Sequence, residues 1–448
     1  MNTYTLGDGR LYLRHPNANV CFRAEIKGSF TAADFEEALG RLVRRHPLLK
    51  STVEWEGDRV LINPHKGQPG LEFYERADLA SWEDWYKRTD ALPVDFERGP
   101  LVRFCVIFGS GTREIIVLGH HILADGIGWL RVTQDLLLAL DGSLDAGEQA
   151  PPLENSLISK TRLGPLEKFV SLLLNAGWWF KSSRFTEKEY TAFFNAYRDS
   201  SKPNMQMYSL EAADLSRLLA ECKERAVTLT EAVLSAFAVA MQDLDSHFAA
   251  KAMRFGMAVN IRQAMKTPVA GCMENYLSAV FSKIKAGDRR ETLGAAIERI
   301  SLKTRKQMKN LQRRYLPVLF LRAINRSLVD TIYFTVYGSY RSFLSKILGK
   351  LIGEFADNKG GVWISNLGRH ECGGYTNFSL LDFQFIPPVF LSMLLTVGAI
   401  TVNGCLTIYL RYNETDLANE KVQTIYNRAL ELLLSTGGGG ARFGNVIK

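Results

Sequence analysis

Apolar and polar residues alternate across residues 19–26 (NVCFRAEI), the period of a half-buried strand. The period then lengthens. Thr31 stands at a helix N-cap position, Asp34 follows in the first turn, and Phe35, Ala38, Leu39 and Leu42 recur at helical spacing until His46-Pro47. Residues 48–55 and 58–62 read as a hairpin around Glu56-Gly57. Residues 101–108 and 114–119 read as two apolar strands, and 130–140 as an amphipathic helix that stops at Asp141-Gly142.

Residues 141–165 are connector-like, and the apolar run 169–181 is too short to span a bilayer. A second block of strands and helices starts near Met207. In it, 228–241 is almost wholly apolar and so predicts a buried helix. Residues 255–260 and 362–366 predict strands. The stretch 383–410 carries no charge and is long enough to cross a membrane. Pro387-Pro388 and Asn403-Gly404 interrupt it, so it reads instead as two buried strands joined by a tight turn. Strands end at 407–412, and a last helix at 419–435 runs into a glycine tail at 437–440. The pattern is that of an α/β (α+β) chain with a lobe at 1–165, a connecting stretch at 166–206 and a second lobe at 207–448.

Composition supports this division. At ~150 residues per domain, 448 residues make two or three domains. A chain that is 46% hydrophobic and 23% charged is not a disordered, collagenous or coiled-coil protein. Six cysteines without a CxxC pair give neither a disulfide framework nor zinc spacing, and the first residues lack a signal-peptide core. Reduced thiols in the cytoplasm are the expectation.

Charge changes the picture in one place. Residues 299–350 hold twelve Lys/Arg against the single acid Asp330, so the segment is +11 within a chain of net +8. Such a surface attracts a membrane, a coenzyme A phosphate, an acidic carrier protein or nucleic acid. No nucleic-acid motif accompanies it. It reads either as a basic amphipathic helix lying on a membrane or as two core-packed helices with a solvated basic face.

The sharpest chemical signal is His120-His121-Ile122-Leu123-Ala124-Asp125-Gly126, after an apolar strand and before a helix. Adjacent residues at a strand end point to opposite sides, so one histidine can face a cavity while the other packs. Asp125 can hold a turn or pair with a cation, and Gly126 permits backbone conformations closed to other residues. A neutral imidazole can deprotonate a hydroxyl or amine attacking a thioester. Two structural histidines, or a chance metal site, remain open on these residues alone. No partners have metal-ligand spacing, and there is no GxSxG elbow.

The segment fits HHxxxDG and resembles the signature of the chloramphenicol-acetyltransferase-like superfamily. That superfamily includes peptide-synthetase condensation domains, polyketide-associated acyltransferases, wax ester synthases and alcohol acetyltransferases. Companions follow in the family's order over most of the chain. They are RLVRRHPLL at 41–49, FERGPLVR at 96–103, VTL at 227–229, VNIR at 259–262, GCMEN at 271–275, ISNLG at 364–368 and Tyr412-Asn413. The absence of DFGWG disfavours the plant BAHD branch, and SNLGR replaces the stretch expected of wax ester synthases.

The resemblance implies two lobes in a V-shaped pseudo-dimer with a channel between them. His121 would be the general base. His120 would pack away from the channel, Asp125 would pair with an arginine (Arg262 is the candidate), and Gly126 would keep the channel open. Ser365, Asn366 and Asn275 would line it. No metal or resident cofactor is implied, only an acyl-CoA or phosphopantetheine thioester as co-substrate. The expected activity is acyl transfer from CoA or an acyl carrier protein to a hydroxyl or amine, in natural-product or lipid biosynthesis. Two rivals stand beside it: a trans-acting peptide-type condensation enzyme, and a non-catalytic lipid- or carrier-binding pseudoenzyme. The site would lie within one chain, so a monomer suffices. The basic 299–350 segment and the short apolar run 169–180 suit a lipidic or membrane-proximal substrate and peripheral contact with the inner membrane surface.

Overall fold

The computed structural model describes residues 3–435 except 58, 80, 146, 148–161, 180–184, 245–252, 267, 270–271, 285–292, 337–339, 341, 353–359 and 390. Most of the connector-like 141–165, Asp58 of the expected hairpin, residues 180–181 of the apolar run, Gly271 and the glycine tail lie outside the described residues, while the connecting stretch 166–206 is largely described.

The first half opens with β1 (Tyr4–Thr5), a 3-10 turn (Asp8–Tyr12) and β2 (Asn19–Gly28). In α1 (Ala32–Arg45) the Thr31 side chain accepts from the Asp34 N–H and Asp34 accepts from the Thr31 N–H, a capping box that closes the first turn. There follow β3 (Thr52–Glu56), β4 (Arg59–Asn63), β5 (Gly70–Glu75), α2 (Trp82–Asp90), β6 (Val102–Phe108), β7 (Thr112–His120) and α3 (Gly126–Leu140). Helices α4 (Pro165–Trp178) and α5 (Glu187–Ser200) lead to β8 (Pro203–Leu210), α6 (Ala212–Glu224), α7 (Leu229–Leu244), β9 (Met253–Asn260) and β10 (Leu277–Ile284). Then come α8 (Leu293–Lys309), α9 (Leu311–Ala323), α10 (Arg326–Val336) and α11 (Phe343–Ile352). The chain closes with β11 (Val362–His370), β12 (Phe378–Ile386), β13 (Leu395–Val402), β14 (Cys405–Asn413) and α12 (Asn419–Ser435).

Two large sheets organise the molecule, one of five strands in the order β12-β2-β7-β6-β5 and one of six in the order β10-β9-β11-β13-β14-β8. The first is not built from the N-terminal half alone. β12 pairs antiparallel with β2, from Phe378 opposite Gly28 to Ile386 opposite Cys21. Arg23 ties the join, donating to Glu114 on β7 at 2.7 Å and to Asp382 on β12 at 2.8 Å.

The half-buried expectation for 19–26 is corrected. β2 is central and covered on both faces, with Val20, Phe22, Ala24 and Ile26 in the main core and Cys21 in a second cluster around Trp85 and Tyr86. The uncharged stretch 383–410 holds the end of β12 as well as two strands. β13 is buried along its whole length and turns into β14 through Asn403 (φ 49°) and Gly404 (φ 84°). Both residues lie in the left-handed region, as a two-residue hairpin turn requires. Among the described residues, no single helix is long and apolar enough to cross a membrane.

The basic segment is neither one amphipathic helix nor two. It spans four helices whose apolar residues Leu328, Ile332 and Leu348 lie in the main core. Part of its charge is paired within the fold. Arg322 meets Asp8, Asp330 meets Arg10 and Arg305 meets Glu231. Period and charge read the residues correctly but could not show where the chain folds back between helices.

Candidate active site

Strand β7 delivers the histidine pair to the join between the two lobes. The His120 N–H donates to the Leu101 carbonyl at 2.9 Å and the His121 N–H to that of Ala18 at 2.8 Å, so both backbones are fixed. One residue earlier, Gly119 leaves room for the Trp129 ring of α3. A Cβ there would stand 2.1 Å from a ring carbon. The two side chains diverge as strand geometry requires. His120 is buried edge-on against Phe96, and its Nδ1 accepts from the Ile122 N–H at 3.2 Å. His121 lines the interlobe cavity and stacks on Tyr12 with ring centroids 3.8 Å apart.

Asn275 reaches His121 from the start of the second sheet. Its Nδ2 donates to the carbonyl oxygens of His121 (2.7 Å) and Ile122 (3.3 Å). Those two bonds orient the amide, so Oδ1 is the acceptor for His121 Nδ1 at 2.8 Å. In the neutral ring the proton therefore sits on Nδ1, and Nε2 keeps its lone pair. Burial pushes the His121 pKa down, opposed by the Asp125 charge and the Asn275 bond.

Asp125 caps α3 and joins the lobes. Its carboxylate accepts from the Gly128 N–H (2.9 Å), the Tyr276 N–H (2.9 Å) and both terminal nitrogens of Arg262 (2.8 Å each). The Arg262 guanidinium also lies over the Tyr276 ring at 4.9 Å. Gly126 lines the cavity, but it begins α3 without a positive φ, so its smallness rather than its backbone freedom is what the site uses. An added Cβ would meet Leu367 Cδ2 at 2.9 Å.

Ser365 and Asn366 on β11 also line the cavity. The Asn366 amide is engaged locally, with Nδ2 donating to Thr230 at 3.0 Å and Oδ1 accepting from the Gly368 N–H at 2.8 Å. Ser365 Oγ makes no hydrogen bond among the described residues. The sequence reading missed the N-terminal wall, where Asp8, Arg10, Tyr12 and His15 border the same cavity of about 250 Å³. No periodicity marks this wall, because it is a turn and a loop. Among the described residues no three His, Cys, Asp or Glu side chains converge as metal ligands.

The family model of the condensation domain matches residues 13–307. The chain belongs to the condensation-domain family. It is 30% identical over 143 residues to a linear gramicidin synthase of Brevibacillus parabrevis, across 29% of this chain and 2% of that protein. It is 28% identical over 139 residues to bacitracin synthase 3 of Bacillus licheniformis, across 30% of this chain and 2% of that protein. The chain thus spans a small fraction of the length of these curated relatives.

Two solved structures share the architecture. The condensation domain of monacolin K polyketide synthase aligns over 98% of both chains, with a TM-score of 0.65 and 13% identity. Trichothecene 15-O-acetyltransferase from Fusarium sporotrichioides aligns over 97% of this chain and 95% of its own, with a TM-score of 0.64 and 14% identity. The condensation-type fold is therefore shared with a protein described as an acetyltransferase.

The buried histidines of this condensation-domain protein make its stability pH-dependent. Burial brings the His15 pKa down to about 3, with His121 adding to the effect, and burial likewise lowers those of His120 and His121 from 6.5. Below pH 6.5 the unfolded chain takes up protons that the folded chain refuses. Stability is therefore full above pH 6.5 and declines as pH falls toward the folded values. The urea midpoint is expected to be lower at pH 5 than at pH 7, and equal midpoints would show that these rings are protonated in the fold.

Proposed function

We propose that this protein transfers an acyl group from a CoA or carrier-protein thioester to a hydroxyl or amine, with His121 as the general base. The observation that carries the reading is the Asn275 bond to Nδ1, which leaves Nε2 as the basic nitrogen of a ring that lines the interlobe cavity. Nε2 removes the acceptor's proton as its oxygen or nitrogen attacks the thioester carbonyl. The tetrahedral intermediate then expels the thiolate, which takes that proton from the imidazolium. The thioester is a co-substrate rather than a resident cofactor. No protein nucleophile is needed, because a thioester is already activated.

Arg326 supports an anionic donor. It lines the cavity, is exposed, donates to the Leu6 carbonyl at 2.8 Å and meets no carboxylate within ion-pair distance among the described residues. Such a cation at the cavity would favour the phosphate of CoA or of a phosphopantetheine arm. A carrier-bound donor and amide formation form the second reading, favoured by the nonribosomal peptide synthetases among the relatives. A non-catalytic binder would have no use for a histidine held in one tautomer. Both walls of the cavity come from one chain, which supports a working monomer, and a cytoplasmic location fits these donors.

The test is incubation of wild type and His121→Ala with acyl-CoAs and acyl-carrier proteins plus pooled alcohols and amines, read by mass spectrometry. Product from wild type alone is expected, and the donor used separates the two readings. Equal background from both proteins would overturn acyl transfer.

Asn275→Ala tests the positioning. It is expected to lower kcat by about 10²-fold with little change in KM, the cost of a misplaced catalytic group. The ¹⁵N shifts of His121 would move from the Nδ1–H tautomer toward a mixture. An unchanged tautomer would show that Asn275 does not set it.

A further inference from the structure

Helix α4 is anchored on one side and bare on the other. Leu174 and Trp178 are buried, Trp178 Nε1 donates to Ser327 Oγ at 2.8 Å, and Asn175 Nδ2 donates to the Ala323 carbonyl at 2.8 Å. These contacts fix the helix on α9 and α10. Its outer side carries Leu166, Phe169, Leu172 and Leu173, each more than half exposed, and Trp179 just beyond it is 80% exposed. Their spacing of three and four residues places the four helical side chains on one face. Soluble surfaces rarely gather so many large apolar side chains without a partner.

The face continues onto α11. Gly177 lies so close to Leu344 that an added Cβ would stand 3.1 Å from its Cδ1, which brings the end of α4 beside the start of α11. There Phe343 is 77% exposed and Leu351 is exposed one turn beyond the middle of the helix. Lys346 is exposed between them, and α11 contains no acidic residue. On α4 the exposed charge is Lys168, with Glu167 the single acid.

We propose that the α4–α11 face docks on an anionic lipid bilayer, with its leucines, Phe169, Trp179 and Phe343 at the boundary between headgroups and acyl chains and Lys168 and Lys346 on lipid phosphates. Charge complementarity selects this occupant. A second copy seated on the same face would bring α11, which carries lysines and no acid, against another α11. An anionic bilayer meets both the apolar and the cationic component. The sequence expectation named the 169–180 run and the whole basic segment together, and the face narrows it to α4 and α11. The apolar contact belongs mainly to α4, while much of the basic segment is paired or packed inside the fold. It is also independent of the acyl-transfer reading, because none of these residues lines the cavity.

Vesicle flotation of the full chain tests it. Vesicles of phosphatidylcholine alone and of equimolar phosphatidylcholine and phosphatidylglycerol are compared at about 0.1 M and about 1 M salt. Wild type is expected to float with the anionic vesicles, less so at high salt. Phe169→Ser/Leu172→Ser/Leu173→Ser and Lys168→Glu/Lys346→Glu are each expected to lower the bound fraction by about tenfold. All the substituted positions are exposed, and an unchanged urea midpoint verifies the fold of both variants. Absence of wild-type flotation, equal flotation with neutral vesicles, or unaltered flotation of both variants would overturn the proposal. So would a concentration-dependent dimer, seen by light scattering, that the triple serine variant abolishes.

Discussion

Asp125→Ala is expected to lower the unfolding free energy by about 3–5 kcal/mol, the cost of removing one partner from a buried ion pair. The Asp125 carboxylate satisfies the Gly128 and Tyr276 N–H groups and both terminal nitrogens of Arg262. Without it, a guanidinium whose side chain is only 9% exposed has no ion-pair partner among the described residues, and the loop bearing His121 loses its tie to the second lobe. Asp125→Ala/Arg262→Ala removes the stranded charge and is expected to recover part of the loss, as a double-mutant cycle in urea would show. A single variant within about 1 kcal/mol of wild type would mean that water reaches Arg262 and replaces its partner.

His121→Ala is expected to lower kcat by about 10²–10⁴-fold, the usual contribution of a positioned general base. Its pH dependence distinguishes a base from a structural ring. Burial depresses the His121 pKa below 6.5, so the basic form persists into mildly acidic solution. The acidic limb of kcat/KM in wild type should therefore fall below pH 6.5, with activity lost as Nε2 gains a proton. The residual rate of the variant should be flat across that limb. A wild-type limb above pH 6.5 would assign the base to another group.

The histidine pair, Asp125 and Arg262 were legible because a short motif and its ordered companions carry them. The Asp125–Arg262 contact needed only that both residues be noticed. Asn275 was legible as a cavity residue but not as the partner of His121, because that bond spans 154 positions and depends on which way an amide faces. Asn366 shows the converse. It fits a motif, yet its amide is bonded to Thr230 and the Gly368 N–H. Tyr12 and His15 gave no signal, since a residue on an aperiodic loop is assigned to a site only by its neighbours in space. In the fold, residues 378–386 had the apolar content of a strand, but hydrophobic pattern specifies burial and not which sheet a strand joins.

The placement of β12 has a consequence for how the chain is made. Residues 378–386 complete a sheet whose other strands end by residue 120. During N-to-C synthesis, β2 therefore waits with an open row of backbone donors and acceptors while more than half of the chain emerges. An open edge of this kind templates pairing with any strand that reaches it first. The last quarter of the polypeptide thus supplies the partner that β2 lacks until then, and a fragment ending before residue 378 would carry the histidine pair on a sheet whose β2 edge is unpaired.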